Sequence, residues 1–337
     1  MNPILVEIWR GPMVESFHRG AIVIVGEQGQ TLWSMGNPEQ WAYPRSAMKY
    51  FQHLPFLQSG DFDRLHWGSQ ELAILCASHN GEAMHTALVS RMLEQLNLTA
   101  AHLGCGPQAP TLRTDHEALI ISGQKPSCLH NNCSGKHTGF LAASQFLNYS
   151  LEDYLKPDHA LQLSIRKMIS LFYEMAEEDL KIGVDGCSAP IYGMPLRNQA
   201  LAYLNLILPD RVTDDRSLHK ACARVVEAVA QYPDLIAGSK RYCSDLIRIT
   251  KGRIIGKTGA DGIYSIAIPS EKIALVIKID DGKMGPQYQV AHQLLSELNL
   301  LTAQEKQELE AYSRQPILNF AGNTVGYSQS VTLNCSF

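Results

Sequence analysis

Hydrophobic patterning divides the chain into β ends and a helical middle. Ile4 to Ile8, Ala21 to Val25 and Thr31 to Trp33 are rich in branched and aromatic residues. They are separated by Gly11-Pro12, Gly26-Glu27-Gln28-Gly29 and Gly36-Asn37-Pro38, a pattern that predicts antiparallel hairpins. From about Ser46 the period lengthens. Glu71 to Ser78, Glu82 to Leu96, His159 to Met175 and Arg216 to Gln231 place apolar residues at helical spacing with charges between them. The β pattern returns at Arg253 to Gly256, Ile263 to Ile268 and Lys272 to Ile279, with Pro269-Ser270-Glu271 as a turn. Two helices follow, Pro286 to Asn299 and Ala303 to Tyr312. A chain that is β at both ends can build one antiparallel sheet from both termini and lay helices on its faces. The expectation is a single α+β domain over residues 1–337, with a helical insertion over roughly 82–250. No repeat or linker interrupts it, and Leu208-Pro209-Asp210 reads as a turn.

Composition narrows the function. The 337 residues are 45% hydrophobic and 18% charged, an ordinary globular balance, and a chain of this length can bury about three quarters of its unfolded surface. The net charge is -4 and no basic run occurs, so nucleic acid is not expected as a partner. No apolar stretch approaches the ~20 residues that span a bilayer, so no membrane association is expected. The segment Met1 to Arg10 lacks the basic and apolar regions of an export leader, which points to the cytoplasm. In that compartment the eight cysteines are expected to be reduced, and clustered ones suggest a metal or reactivity.

Ser46-Ala47-Met48-Lys49 places a hydroxyl and an amine on one helical face. The same spacing occurs at Ser122/Lys125, Ser164/Lys167 and Ser217/Lys220, so spacing alone decides nothing. Context separates them: Ser46 follows Pro44 and the hairpins, as a helix start should, among Ala47, Met48, Tyr50, Phe51 and Leu54. That setting predicts a buried Lys49, and desolvation favours the neutral amine that a general base needs. Ser78-His79-Asn80 and Lys257-Thr258-Gly259 follow at the ends of a predicted helix and a predicted strand. The three motifs keep the order of the signatures of serine β-lactamases and penicillin-binding proteins. In that constellation Lys49 takes the proton of Ser46 as it attacks a carbonyl, Ser78 delivers a proton to the leaving nitrogen, and Lys257 holds Ser78 and repels Lys49. A backbone N–H at the Ser46 turn can serve the oxyanion. The alternative is an N-capping Ser46, a helix-end Ser78 and an exposed Lys257.

A second cluster runs from Cys128 to His137 (Cys128-Leu129-His130-Asn131-Asn132-Cys133-Ser134-Gly135-Lys136-His137), with Asp185-Gly186-Cys187-Ser188-Ala189-Pro190 further on. Its cysteines and histidines suggest zinc, although the spacings match no finger or ribbon, and buried cysteines packing as small hydrophobes are the other reading. Arg45, beside the proposed nucleophile, can receive a substrate carboxylate by forked hydrogen bonding. Cys243, in Arg241-Tyr242-Cys243-Ser244-Asp245, is a candidate neighbour of the site, with a buried bystander as the favoured reading.

Taken together, Pro44 to Lys49, Cys76 to Glu82, His130 to His137, Asp185 to Pro190 and Lys257 to Gly262 closely resemble the Rhizobium-type, thermolabile L-asparaginases, from about residue 5 to residue 330. The resemblance implies a serine β-lactamase-like fold, a homodimer, and hydrolysis of L-asparagine to L-aspartate and ammonia. It makes Ser46 with Lys49 and Ser78 with Lys257 the catalytic pairs, and puts Arg45, Asn80, Asp185 and Thr258 at the substrate. It also implies zinc on Cys133, Lys136 and Cys187. Residue chemistry alone would choose His137 over Lys136, because a lysine must lose its proton to coordinate. One departure from the β-lactamase pattern stands out: the stretch between Ser46 and Ser78 is too short for a helical subdomain, so the substrate pocket should differ. The competing readings are a cytosolic β-lactamase-like or peptidase-like serine hydrolase and a zinc-binding scaffold or redox sensor.

Overall fold

The computed structural model describes residues 1–337. Both ends of the chain contribute to one large antiparallel sheet: β1 (Ile4–Arg10), β2 (Met13–Val25) and β3 (Thr31–Met35) from the first end. The rest of the chain supplies β4 (Trp41–Ala42), β5 (Lys181–Val184), β6 (Pro190–Pro195), β7 (Ile255–Gly259), β8 (Ile263–Ile268), β9 (Ile273–Ile279), β10 (Arg314–Leu318) and β11 (Thr324–Ser330). The large sheet runs β10-β11-β1-β2-β9-β8-β7, and the last part of β2 also pairs with β3. The α+β architecture with a sheet built from both termini is therefore the one the pattern predicts.

The long strand β2 shows why the sheet has two halves. Its first residues pair with β1 and are largely exposed, whereas Gly20 to Val25 are buried and pair with β9. Strands β7 and β8 are buried along their whole length, and β9 in all but Lys278. Residues pointing both ways from a strand can be buried only if both faces are covered. Leu196–Ile207 packs on β2, β8 and β9, and Pro286–Glu297 packs on β1, β8, β9 and β11. These two helices are the covering layers.

Three features differ from the pattern-based expectation. The strands β10 and β11 were not foreseen, because Arg314-Gln-Pro-Ile-Leu and Thr324-Val-Gly-Tyr-Ser-Gln-Ser carry little apolar signal at the exposed edge of the sheet. The helical insertion also contributes two strands to a small sheet of order β4-β6-β5, whose β4 comes from the first end of the chain. Finally, the helix expected from Ser46 is a 3₁₀ turn, Arg45–Met48, followed by the short helices Lys49–Gln52 and Leu54–Gln58. No helix is long and apolar enough to cross a membrane.

Candidate active site

The first motif is docked on the edge of the sheet. The Arg45–Met48 turn packs against β7, and Gly259 at the end of that strand permits the approach: a Cβ there would strike the Pro44 carbonyl oxygen. Arg45 adopts φ 52°, in the left-handed region that a side chain enters at a cost of about 1–3 kcal/mol. Such strain persists only where surrounding packing over-determines the backbone. At this turn the Lys49 backbone N–H bonds the Ser46 carbonyl three residues back, as a 3₁₀ turn requires. Ser46 borders a cavity of about 180 Å³ with Arg45, Gln108, Cys133, Asp185 and Cys187 on its walls.

Lys49 is buried, and its Nζ is shared among partners inside the site. Nζ donates to the Ala77 carbonyl at 2.5 Å, to Ser78 Oγ at 2.9 Å and to the Asn132 carbonyl at 3.3 Å. Ser46 is not among these partners; the direct contact of Lys49 is with the serine of the second motif. From the other side, Lys257 Nζ donates to Ser78 Oγ at 2.7 Å. Lys257 is fully buried, not the exposed strand residue of the alternative reading. Burial, followed by the neighbouring charge of Lys49, brings its pKa down to about 7. The repulsion between the two amines is thus felt at Lys257. Ser78 itself is held by its backbone N–H on the Ile236 carbonyl at 2.8 Å.

The two substrate-side positions expected near Ser78 and Lys257 have partners of their own. Asn80 Nδ2 donates to Glu82 Oε1 and to the Ser239 carbonyl, both at 2.9 Å, while its Oδ1 accepts from Arg241 at 2.7 Å. Thr258 Oγ1 accepts from the Tyr288 hydroxyl at 3.0 Å. The Thr258 backbone N–H points to Cys243 Sγ at 3.3 Å, so that cysteine lies directly beneath the Lys-Thr-Gly strand.

The cysteine cluster forms the opposite wall. Gly135, in helix Ser134–Phe146, lies so close to helix Ser69–Leu75 that a Cβ would collide with the Ile74 carbonyl oxygen. That approach places Cys133, at the start of the helix, one turn from Lys136 and near Lys49. Lys136 Nζ donates to Cys187 Sγ at 3.0 Å, and Cys133 Sγ points to Asn132 Oδ1 at 2.9 Å. Burial opposes the Lys136 charge, but Cys187, Cys133 and Asp185 outweigh it and hold the amine above the usual lysine range. The contact with Cys187 lowers the Cys133 thiol against the effect of burial, while Cys187 is pushed up to about 11.

The donor set fits zinc. Donor atoms of Cys133, Asp185 and Cys187 lie within 4.8 Å of one another, close to the span that ligands about 2.3 Å from one ion can cover. Thiolate and nitrogen donors are also the soft partners this ion prefers. His137 Nδ1 is engaged with the Tyr154 hydroxyl at 2.7 Å, and its Nε2 is buried without a hydrogen-bond partner. Cys128 and His130 stand apart from the donor group.

Arg45 spans the mouth of the pocket. Its Nε donates to Asp185 Oδ1 at 2.8 Å, and its second ion pair goes to Asp261 in the β7–β8 turn. Asp261, Gln108, Arg241 and Tyr288 were not singled out from sequence. Asp261 stood inside the Lys257 to Gly262 motif and Arg241 beside Cys243, so both had a positional signal. Tyr288 had none, because it sits on a helix whose pattern speaks only of sheet cover.

Among solved structures, the chain is similar to a β-lactamase from Mycobacterium bovis, at 12% identity and a TM-score of 0.43, covering 82% of this chain and 94% of that one. It is also similar to a class C β-lactamase mutant, at 12% identity and a TM-score of 0.45, covering 83% and 92%. No curated protein matches it. A sequence model of the family described as L-asparaginase II matches residues 6–330, nearly the whole chain, and the chain therefore belongs to the L-asparaginase II family of amidohydrolases.

Proposed function

We propose that the enzyme hydrolyses L-asparagine to L-aspartate and ammonia through an acyl-serine on Ser46, with Lys49, Ser78 and Lys257 as one proton-transfer chain. The observation that carries this reading is the Ser78 hydroxyl held between two buried lysine amines beside the cavity that Ser46 borders. Lys257, brought down to about 7 by burial and the Lys49 charge, is the amine that gives up its proton near neutrality. A proton passed from Lys49 through Ser78 to Lys257 leaves Lys49 neutral and able to take the Ser46 proton as its oxygen attacks the amide carbon. The same chain returns a proton to the leaving nitrogen, ammonia departs, and water then cleaves the ester to free Ser46 and aspartate. At the turn, Ala47 N–H is committed to the Pro44 carbonyl at 3.0 Å, so this reading assigns Ser46 N–H to the developing oxyanion.

Cavity size favours a small amide. A volume of about 180 Å³ is below the range of about 300–1,000 Å³ typical of drug-sized ligands, which argues against β-lactams and peptides as substrates. Zinc would be held by Cys133, Lys136 and Cys187 with Asp185 close by, where it would supply Lewis acidity or fix the shape of the wall. The place of Ser-x-x-Lys against an edge strand bearing Lys-Thr-Gly supports a fold of the serine β-lactamase kind, and the family resemblance supports a homodimer.

The test is ammonia release from L-asparagine together with mass spectrometry of the quenched enzyme. Ser46→Ala is expected to lose turnover by at least about a thousandfold with its circular dichroism unchanged. An adduct trapped on Ser78, or full turnover by the variant, would overturn the assignment.

A further inference from the structure

Two arginines stand at the site, and only one is neutralised. Arg45 is shared by Asp185 and Asp261, so a third carboxylate would have to break an ion pair to bind it. Arg241 is half-buried at the start of helix Tyr242–Ile249 and makes no salt bridge; its hydrogen bond goes to the neutral Asn80 Oδ1 at 2.7 Å. A guanidinium carries five N–H donors in a planar fork; Asn80 takes one and the Tyr288 hydroxyl stands within reach of another, which leaves three. The neighbouring carboxylate, Glu82, is turned away. Its Oε1 accepts from Ser239 N at 2.8 Å and Asn80 Nδ2 at 2.9 Å, and its Oε2 from Ser239 Oγ at 2.9 Å.

The charge balance around Ser78 and Asn80 is therefore incomplete. Lys49 and Lys257 converge on Ser78, Asn80 ties Arg241 to the same segment, and no carboxylate forms a salt bridge with any of the three. Arg241 is close enough for its charge to act on both Lys257 and Tyr288. Positive charge withdrawn from water is costly without a counter-ion, and an anion that arrives with the substrate would supply one.

We propose that Arg241 is the specificity-determining residue of this site, receiving the α-carboxylate of the substrate through the free side of its guanidinium. This inference rests on the asparaginase reading and deepens it. It assigns the carboxylate to the unneutralised arginine, whereas Arg45 keeps Asp185 and Asp261 in place at the pocket mouth.

The experiment compares L-asparagine with 3-aminopropanamide, the same molecule without its α-carboxylate, on the full-length enzyme. In Arg241→Met, kcat/KM for asparagine is expected to fall about 30- to 100-fold, mainly through KM, the loss of a charge-assisted fork. Measured on the plateau well above pH 7, where the loss of the Arg241 charge no longer governs Lys257, turnover of 3-aminopropanamide should change less than about threefold, because that substrate never used the fork. Equal losses on both substrates would mean that Arg241 only holds Asn80 in place, and no loss on either would mean that it has no role; each result overturns the proposal. Should the Met variant fail to fold, Arg241→Lys carries the same test. Its charge is kept but the fork is lost, so the asparagine preference should drop about tenfold, and an unchanged preference overturns the proposal. The wild-type arm stands apart: a wild-type enzyme that releases no ammonia from asparagine removes the asparaginase reading itself. Wild-type turnover with an unaltered preference in the variants removes Arg241 alone.

Discussion

A hydroxyl oxygen that accepts from two amines must send its own proton elsewhere, or to one of them once that amine is neutral. Ser78 is in that position between Lys49 and Lys257, and burial combined with the Lys49 charge sets the change at about 7. Below that value Lys257 is protonated and the chain has no vacancy for a proton; above it, the neutral amine opens one. The expected outcome is a kcat/KM for asparagine that rises about tenfold per pH unit below about 7 and levels off above it. A pH–rate profile that stays flat across neutrality would remove Lys257 from the proton chain.

At the scale of elements, the site depends on backbones that approach without side chains between them. Pro44 reaches β7 because position 259 has no Cβ, and helix Ser134–Phe146 reaches helix Ser69–Leu75 because position 135 has none. In Gly259→Ala the obstacle would be a carbonyl oxygen of the backbone, which cannot rotate away as a long side chain can. The substitution is expected to cost about 1–3 kcal/mol of stability by overpacking, and to lower activity by displacing Ser46 from the lysine chain. Calorimetric melting and asparagine turnover measure the two effects. A variant with both at wild-type values would show that the contact is not what seats the turn.

At the scale of the whole molecule, the cluster of Cys133, Lys136, Asp185 and Cys187 draws on a helix start and on the connection between β5 and β6, so it forms only in the folded chain. Native mass spectrometry addresses metal and assembly together. It is expected to show a dimer of 37.4 kDa chains carrying about one zinc each. The Cys133→Ala/Cys187→Ala variant should remain dimeric and lose the metal. Metal-free wild-type protein, or full occupancy in the double variant, would reject the ligand assignment, and a monomer would reject the assembly.

The order of strands and helices was legible because it depends on local period: Ile4 to Ile8, Ile263 to Ile268 and Arg216 to Gln231 declare themselves within a few residues of chain. So did the three serine and lysine motifs, whose spacings are properties of the chain itself. Strands β10 and β11 were not legible, because β11 is held by pairing with β1 and by the stacking of Trp9 on Tyr327, and β10 by pairing with β11, none of which leaves a hydrophobic pattern. The partner of Lys49 was also decided in space: sequence pairs it with the serine one turn before it, whereas its hydrogen bond in the fold goes to Ser78. The same holds for the two arginines, identical in chemistry and separated only by their neighbours, since Asp185 and Asp261 neutralise Arg45 and no carboxylate reaches Arg241. Local periodicity and covalent spacing are written along the chain, but charge balance depends on which distant groups the fold brings within a few ångströms, and only the tertiary structure decides that.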